Sequence, residues 1–315
     1  MSLSEFKLIE KFFNVKNKAA FPAALAIGDD CAVIDIPEGH QLAITSDSLV
    51  EGVHFLADSD PALLGHKVLA VNLSDLAAMG ATPAWLTLAI TLPKADEAWL
   101  EGFSQGFLNL ADQHAAQLIG GDTTQGPLSI TVTALGLLPT AGALKRSGAK
   151  VGDSVFVSGV IGSAGLGLLL AQQDSTEQYN EDLLHYLKPM PCVELGKKIR
   201  DLASSCIDIS DGLAADLNHI LEASHVGAIL NDSLLPVTDG VEQYIQKLGG
   251  WSWPYSTGDD YQLCFTCSEE QEAKLQNTLK GYRVTKIGEI EKELGLRVRL
   301  KDGQIQSLTK GYQHF

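Results

Sequence analysis

Apolar residues recur along this chain in two periods, and the change from one to the other predicts its elements. Alternating or short continuous apolar runs predict strands at residues 32–34, 42–45, 85–93, 153–159, 206–209, 226–231, 261–267, 282–290 and 296–300. A further strand of eight to ten residues is expected after the Gly-rich turn at 120–121. Helical spacing predicts an amphipathic helix in the first 13 residues, capped by Ser2 or Ser4. A buried, Ala-rich helix of about four turns is expected after Leu63, stopped by Gly80 and Pro83. A long amphipathic helix at 95–118 turns Leu100, Phe103, Phe107 and Leu110 inward. Further helices are expected after Gly162, at 191–202, after Ser210, near 241–248 and at 269–279. Residues 139–152, PTAGALKRSGAKVG, have linker composition and no apolar period. The pattern predicts an α/β chain of α+β type in two domains, residues 1–140 and 150–315.

Aspartates interrupt this pattern where β-propensity does not account for them. Asp29, Asp30 and Asp47 stand beside short β-branched runs, and paired carboxylates with a third on a neighbouring strand end suit a hard cation. Solvated turn aspartates are equally consistent with that stretch alone. Asn72 and Asp75 are three apart on an apolar helix, so they share a face and need either a hydrogen-bond partner or a metal. In GGDTT, Gly120 and Gly121 permit close approach of a ligand to the backbone, and Asp122 supplies oxygen. In DISDG, Asp208 and Asp211 flank Ser210 at a strand-to-helix junction where anions are also attracted, although Asp211 suits an N-cap as well. STGDD, with Asp259 and Asp260, is another acidic loop.

Asp30, Asp47, Asp75, Asp122, Asp208 and Asp211 together suggest several Mg²⁺ ions serving a polyphosphate substrate, because Mg²⁺ takes few carboxylates and completes its shell with water and phosphate oxygens. The GVIGSAG turn lacks the lysine of GxxxxGK[ST] and the spacing of GxGxxG, so it reads as tight helix packing rather than a nucleotide loop. The net charge of −16 over 315 residues argues against nucleic acid as a partner. No apolar run is long enough for a membrane span, and the charged N-terminus does not resemble a signal peptide, which suggests a cytoplasmic protein. Five cysteines in so long a chain do not resemble a disulfide framework, and the lone CxxC at Cys264 and Cys267 lies in a strand pattern.

GDDCAVI, TSDSLVEGVHF, VNLSDLAAMGATP, IGGDTT, KRSGAKVGD, SGVIGSAGLGLLL, DISDGL, STGDDYQL and the terminal GYQHF occur in this order. Their series resembles the thiamine-monophosphate kinase family of the aminoimidazole ribonucleotide synthetase-like superfamily, from about Phe6 to Phe315. The resemblance implies ATP-dependent phosphorylation of thiamine monophosphate to thiamine diphosphate. It also implies a homodimer formed by pairing of N-terminal mixed sheets, and an ATP and substrate site completed by the C-terminal domain. Asp30, Thr45, Ser46, Asp47, Asp75, Asp122, Asp208 and Asp211 then correspond to Mg²⁺ ligands. Gly121, Asp122, Arg146 and Ser210 correspond to ATP contacts, and His54, Asp259 and Phe315 to contacts with the thiamine substrate. The family usually has Gly-Glu-Asp where this chain has Gly258-Asp259-Asp260. Other readings are a selenophosphate or aminoimidazole ribonucleotide synthetase-like enzyme of the same superfamily, and a non-catalytic metal-binding partner protein. Cys31 in a strand pattern with no lysine nearby fits the selenophosphate enzymes less well.

Overall fold

The computed structural model describes residues 5–14, 18–173, 181–248 and 250–308. The chain divides into two compact units, Met1–Leu76 with Ala81–Ala141, and Ala77–Gly80 with Gly142–Phe315. The first contains α1 (Glu5–Phe12), β1 (His40–Val50), most of α2 (Pro61–Ala78), β2 (Thr82–Leu92), α3 (Glu97–Gln113), β3 (Gln117–Gln125) and β4 (Ser129–Pro139). Its sheet has the order β1-β4-β2-β3, with β4 antiparallel to both neighbours and β3 parallel to β2. Parallel neighbours need a crossover, and α3 supplies it. Asp96 caps that helix by accepting the Trp99 amide at 3.3 Å.

In β1 the pleat turns Thr45, Asp47 and Leu49 to one face and Ile44, Ser46, Ser48 and Val50 to the other. Ile44 is 63% exposed and Val50 37%, so this second face is not covered within its own unit. α2 lies on the first face, with Leu76 over Gly136 of β4. The backbones of α2 and α3 meet at glycines: a Cβ on Gly65 would stand 2.1 Å from the Phe103 carbonyl oxygen, and one on Gly106 would stand 1.8 Å from that of Ala62.

The second unit continues with β5 (Ser154–Ser158), α4 (Ser163–Gln172), α5 (Glu181–Leu187), α6 (Val193–Ile199), β6 (Ser205–Asp208), α7 (Leu213–Ser224) and β7 (Gly227–Asn231). There follow a 3₁₀ turn (Asp232–Leu234), α8 (Asp239–Leu248), α9 (Trp253–Ser256), β8 (Leu263–Cys267), α10 (Glu269–Thr278), β9 (Val284–Glu291), β10 (Gly295–Arg299) and β11 (Ile305–Ser307). Its seven-stranded mixed sheet has the order β11-β10-β7-β9-β5-β8-β6. The core joins apolar residues of β5, β7 and β9 to the buried face of α7, where Leu213, Leu217 and Ile220 are fully enclosed. Among the described residues no helix is long and apolar enough to cross a membrane.

Four local expectations are corrected. Residues 32–34 form no strand; Val33 and Leu25 make an isolated bridge through two backbone hydrogen bonds of 3.1 and 2.9 Å. The helix expected at 95–118 ends at Gln113, because Ala115 turns left-handed (φ 51°) and Gln117 begins pairing with β2. Gly120–Thr124 is not a turn but part of β3, and the reversal falls at Gly126 and Pro127 instead. Pro83 lies near the start of β2, at a register irregularity that a strand tolerates there. The proposed caps Ser2 and Ser4 lie outside the described residues.

Gly106→Ala forces two helix backbones apart, and a destabilisation of about 2 kcal/mol is expected. Urea unfolding checks this: the midpoint should fall with an unchanged slope, and an unchanged midpoint would contradict the close packing described.

Candidate functional site

In the first unit, the end of β1 faces α2 through polar groups. The Thr45 hydroxyl donates to the Asp75 carboxylate in a short hydrogen bond. Asn72 is fully buried; its Oδ1 accepts the Asp47 amide at 3.2 Å, and its Nδ2 donates to the Val68 carbonyl at 3.1 Å. Asn72 therefore fixes the β1 backbone and is satisfied without a metal. Asp47 stands beside Asp75, and its carboxyl is pushed up to about 6, first by burial, then by the charge of Asp75 and a hydrogen bond with it. Ser46 turns to the opposite face, where it donates to the Val132 carbonyl and pairs with the Thr133 hydroxyl. The pleat thus separates its side chain from Thr45 and Asp47, although all three are adjacent in sequence.

A second group lies at the other edge of the sheet. Asp47, Val132, Leu88 and Gly121 form one row across β1, β4, β2 and β3. Three strand spacings put Gly121 roughly 14 Å from Asp47. At Gly121 (φ 153°) a Cβ would stand 1.8 Å from the Leu88 carbonyl oxygen, so the strand pairing itself demands glycine. Gly121 and Asp122 line a cavity of about 730 Å³ with Gly28 and Asp30, walled by Ile9 of α1 and by Phe13 just after that helix. His54 lies in the turn after β1, where its Nδ1 accepts the Val50 amide at 3.1 Å, which assigns the ring proton to Nε2.

In the second unit, Asp208 is buried at the end of β6. The amides of Ser210 and Asp211 both donate to Asp216 Oδ2 at 3.0 Å. Asp211 is thus not the N-cap; Gly212 occupies that position, and Asp216 gathers the amides in front of the helix. The Asp216 carboxyl is pushed up to about 8, first by burial and then by the charges of Asp208 and Asp211, against the pull of the two amides. Sequence reasoning missed this residue, whose signal was an acid on the apolar face formed by Leu213, Leu217 and Ile220. Arg146 is exposed on a strap fixed by the Cys206 amide bonding to the Lys145 carbonyl and by the Gly148 and Ala149 amides bonding to Ser224.

The acidic loop at 258–261 is bound to the same segment. The Asp259 amide donates to the Ser210 carbonyl and the Tyr261 amide to that of Ile209, both at 2.8 Å. Asp260 accepts the Gly162 amide at 2.7 Å and the Ala164 amide at 3.1 Å. Its carboxylate therefore fills the N-terminus of α4, the position a phosphate would take in a nucleotide loop. Phe315 lies outside the described residues.

No three His, Cys, Asp or Glu groups converge into a metal cage among the described residues. The donors present are hard oxygens, part-exposed at Thr45, Asp47 and Asp75 and exposed at Asp30 and Asp122. The paired Asp47 and Asp75 carboxylates fit a Mg²⁺ ion that draws only one or two ligands from protein.

Two family models match the chain: AIR synthase related protein, N-terminal domain, over residues 28–138, and its C-terminal domain over 150–301. The chain is 46% identical to thiamine-monophosphate kinase of Escherichia coli (strain K12), covering 100% of this chain and 99% of that one. It resembles the crystal structure of thiamine-monophosphate kinase from Stenotrophomonas maltophilia K279a (TM-score 0.85, 41% identity, 96% and 98% covered). It also resembles AaThiL complexed with AMPPCP and TMP (TM-score 0.78, 32% identity, 92% of each chain covered).

Burial pushes the Asp260 carboxyl up to about 7, with Asp259 and Asp182 adding to the rise and the two α4 amides opposing it. The folded chain then holds this proton more tightly than the unfolded one, whose aspartate titrates near ~4. The contribution is complete below ~4 and is lost as pH rises towards 7, at up to about 1.4 kcal/mol per pH unit. In urea unfolding at pH 5 and pH 7, Asp260→Asn should lose less stability between the two than the parent. Equal losses would contradict the assignment.

Proposed function

From the membership of this chain in the thiamine-monophosphate kinases of the AIR synthase related family, we propose that it transfers the γ-phosphoryl group of ATP to thiamine monophosphate, giving ADP and thiamine diphosphate. The observation that carries this reading is identity of 46% spread over the whole of both chains. It favours this acceptor over those of other enzymes built on the same fold.

In the transfer we envisage, an oxygen of the acceptor phosphate attacks the γ-phosphorus in line. One P–O bond forms there, the bond from the γ-phosphorus to the β,γ-bridging oxygen breaks, and its electron pair leaves with ADP. The nucleophile is already anionic, so no general base is required. The work left to the protein is to position two polyanions and offset their repulsion. Thr45, Asp47 and Asp75 form one oxygen-donor group for Mg²⁺, Asp30 and Asp122 a second, and Asp208 and Asp211 a third. Bound there, Mg²⁺ would neutralise charge on the phosphates. Ser46 joins the first group only through its main chain. Gly121, Asp122, Arg146 and Ser210 are assigned to ATP, and His54, Asp259 and Phe315 to thiamine monophosphate.

Residues 1–140 carry the first two donor groups, and residues 150–315 carry the third together with Asp259. The exposed β1 face with Ile44 and Val50 supports a homodimer in which a second copy covers that sheet. The same assignment makes the chain a cytoplasmic biosynthetic enzyme.

ADP release with MgATP should require thiamine monophosphate and should fail with thiamine or an aminoimidazole precursor. Asp47→Asn should lower kcat at least ~100-fold, the scale set by loss of a charge-stabilising group. Equal turnover with every acceptor would contradict the substrate, and an unaffected Asp47→Asn would contradict the metal assignment.

A further inference from the structure

The turn at 258–261 holds two non-glycine residues in left-handed conformation, Asp259 at φ 67° and Tyr261 at φ 47°. Aspartate tolerates that region, but a tyrosine adopts it only where its surroundings impose it. Three anchors do so. The Asp259 and Tyr261 amides bond to the Ser210 and Ile209 carbonyls. Between them, the buried Asp260 reaches the opposite way and accepts two amides at the first turn of α4. That helix begins at Gly162 with no cap from its own N-cap side chain, so Asp260 is the cap. The Tyr261 hydroxyl then donates to the Asp259 carboxylate at 3.2 Å, which fixes the direction of that side chain.

The same turn has no slack on its other side. A Cβ on Gly258 would stand 2.3 Å from the Ser210 carbonyl oxygen. Ser210 and Asp211 have their own anchor, since Asp216 accepts both of their amides. Loss of the Asp260 carboxylate would therefore free Asp259 more than it frees Ser210 or Asp211.

We propose that Asp260 is a positioning residue, which ties the 258–261 turn to the N-terminus of α4 and thereby sets the Asp259 carboxylate against the Ser210–Asp211 backbone. It acts on the acceptor through Asp259 and does not touch it. This rests on the assignment of Asp259 to the thiamine substrate made above.

Steady-state kinetics at pH 8, with melting temperatures, test it on the full chain. Asp260→Ala should raise KM for thiamine monophosphate at least ~10-fold, as a displaced contact does, while KM for ATP changes less than about threefold. Asp260→Asn keeps one carbonyl acceptor and should fall between Asp260→Ala and the parent, so it serves if the alanine variant does not fold. Ser163→Ala is the structural control: it removes the bonds of Ser163 to Asp182 and His185 in the same helical turn without touching 258–261. It should lower the melting temperature and leave KM for the acceptor unchanged. Asp259→Ala separates the premise from the proposal. If it leaves acceptor KM unchanged, the assignment of Asp259 fails and the proposal falls with it. If it raises acceptor KM while both Asp260 variants leave it unaltered, or raise both KM values in step with lost stability, only the positioning role is overturned.

Discussion

Carboxylates held side by side and partly out of water must share a proton or gain a cation, because their mutual repulsion is not screened there. Both units of this protein are built around that constraint. Asp47 lies against Asp75, and Asp216 against Asp208 and Asp211, and in each group one carboxyl is pushed towards neutrality. A fold gains nothing in stability from such pairs. They fit the proposed role, in which a metal–nucleotide complex would supply the positive charge.

The rest of the architecture keeps these groups at the ends of rigid elements. Asn72 bonds to the β1 backbone, so Asp75 on the next turn of α2 meets Thr45. Gly65 and Gly106 bring α2 and α3 close enough to pack on one side of a four-stranded sheet. In the second unit β6 delivers Asp208, and the amides that follow it are gathered by Asp216 before α7 begins. The acidic loop before β8 is then fastened to that junction by two backbone bonds. Asp47, Ser210, Asp211 and Asp259 are thus each held through their backbone amides, which leaves their side chains free of that task.

Periodicity made the strands and helices legible, because most bury one well-marked apolar face. It overran where tertiary pairing decides the boundary. Residues 117 and 118 continue a helical pattern, yet their backbone pairs with β2. Gly120 and Gly121 read as a turn, and only the close Leu88 carbonyl explains why the strand requires glycine at 121. The acidic positions were legible as exceptions to propensity, but the face each occupies was not. Ser46 stands between Thr45 and Asp47 in sequence and on the other side of the sheet in space. The capping roles of Asp216 and Asp260 were not legible, because each bonds to backbone amides of a distant or preceding segment, a relation that no residue spacing records.

In the proposed function the acidic groups bind metal together with phosphate. Calorimetric titration of the metal-free chain with a non-hydrolysable ATP analogue, in the presence and absence of Mg²⁺, tests this directly. Tight binding only with Mg²⁺, abolished in Asp47→Asn, is the expected result. Equal affinity without the metal would contradict it.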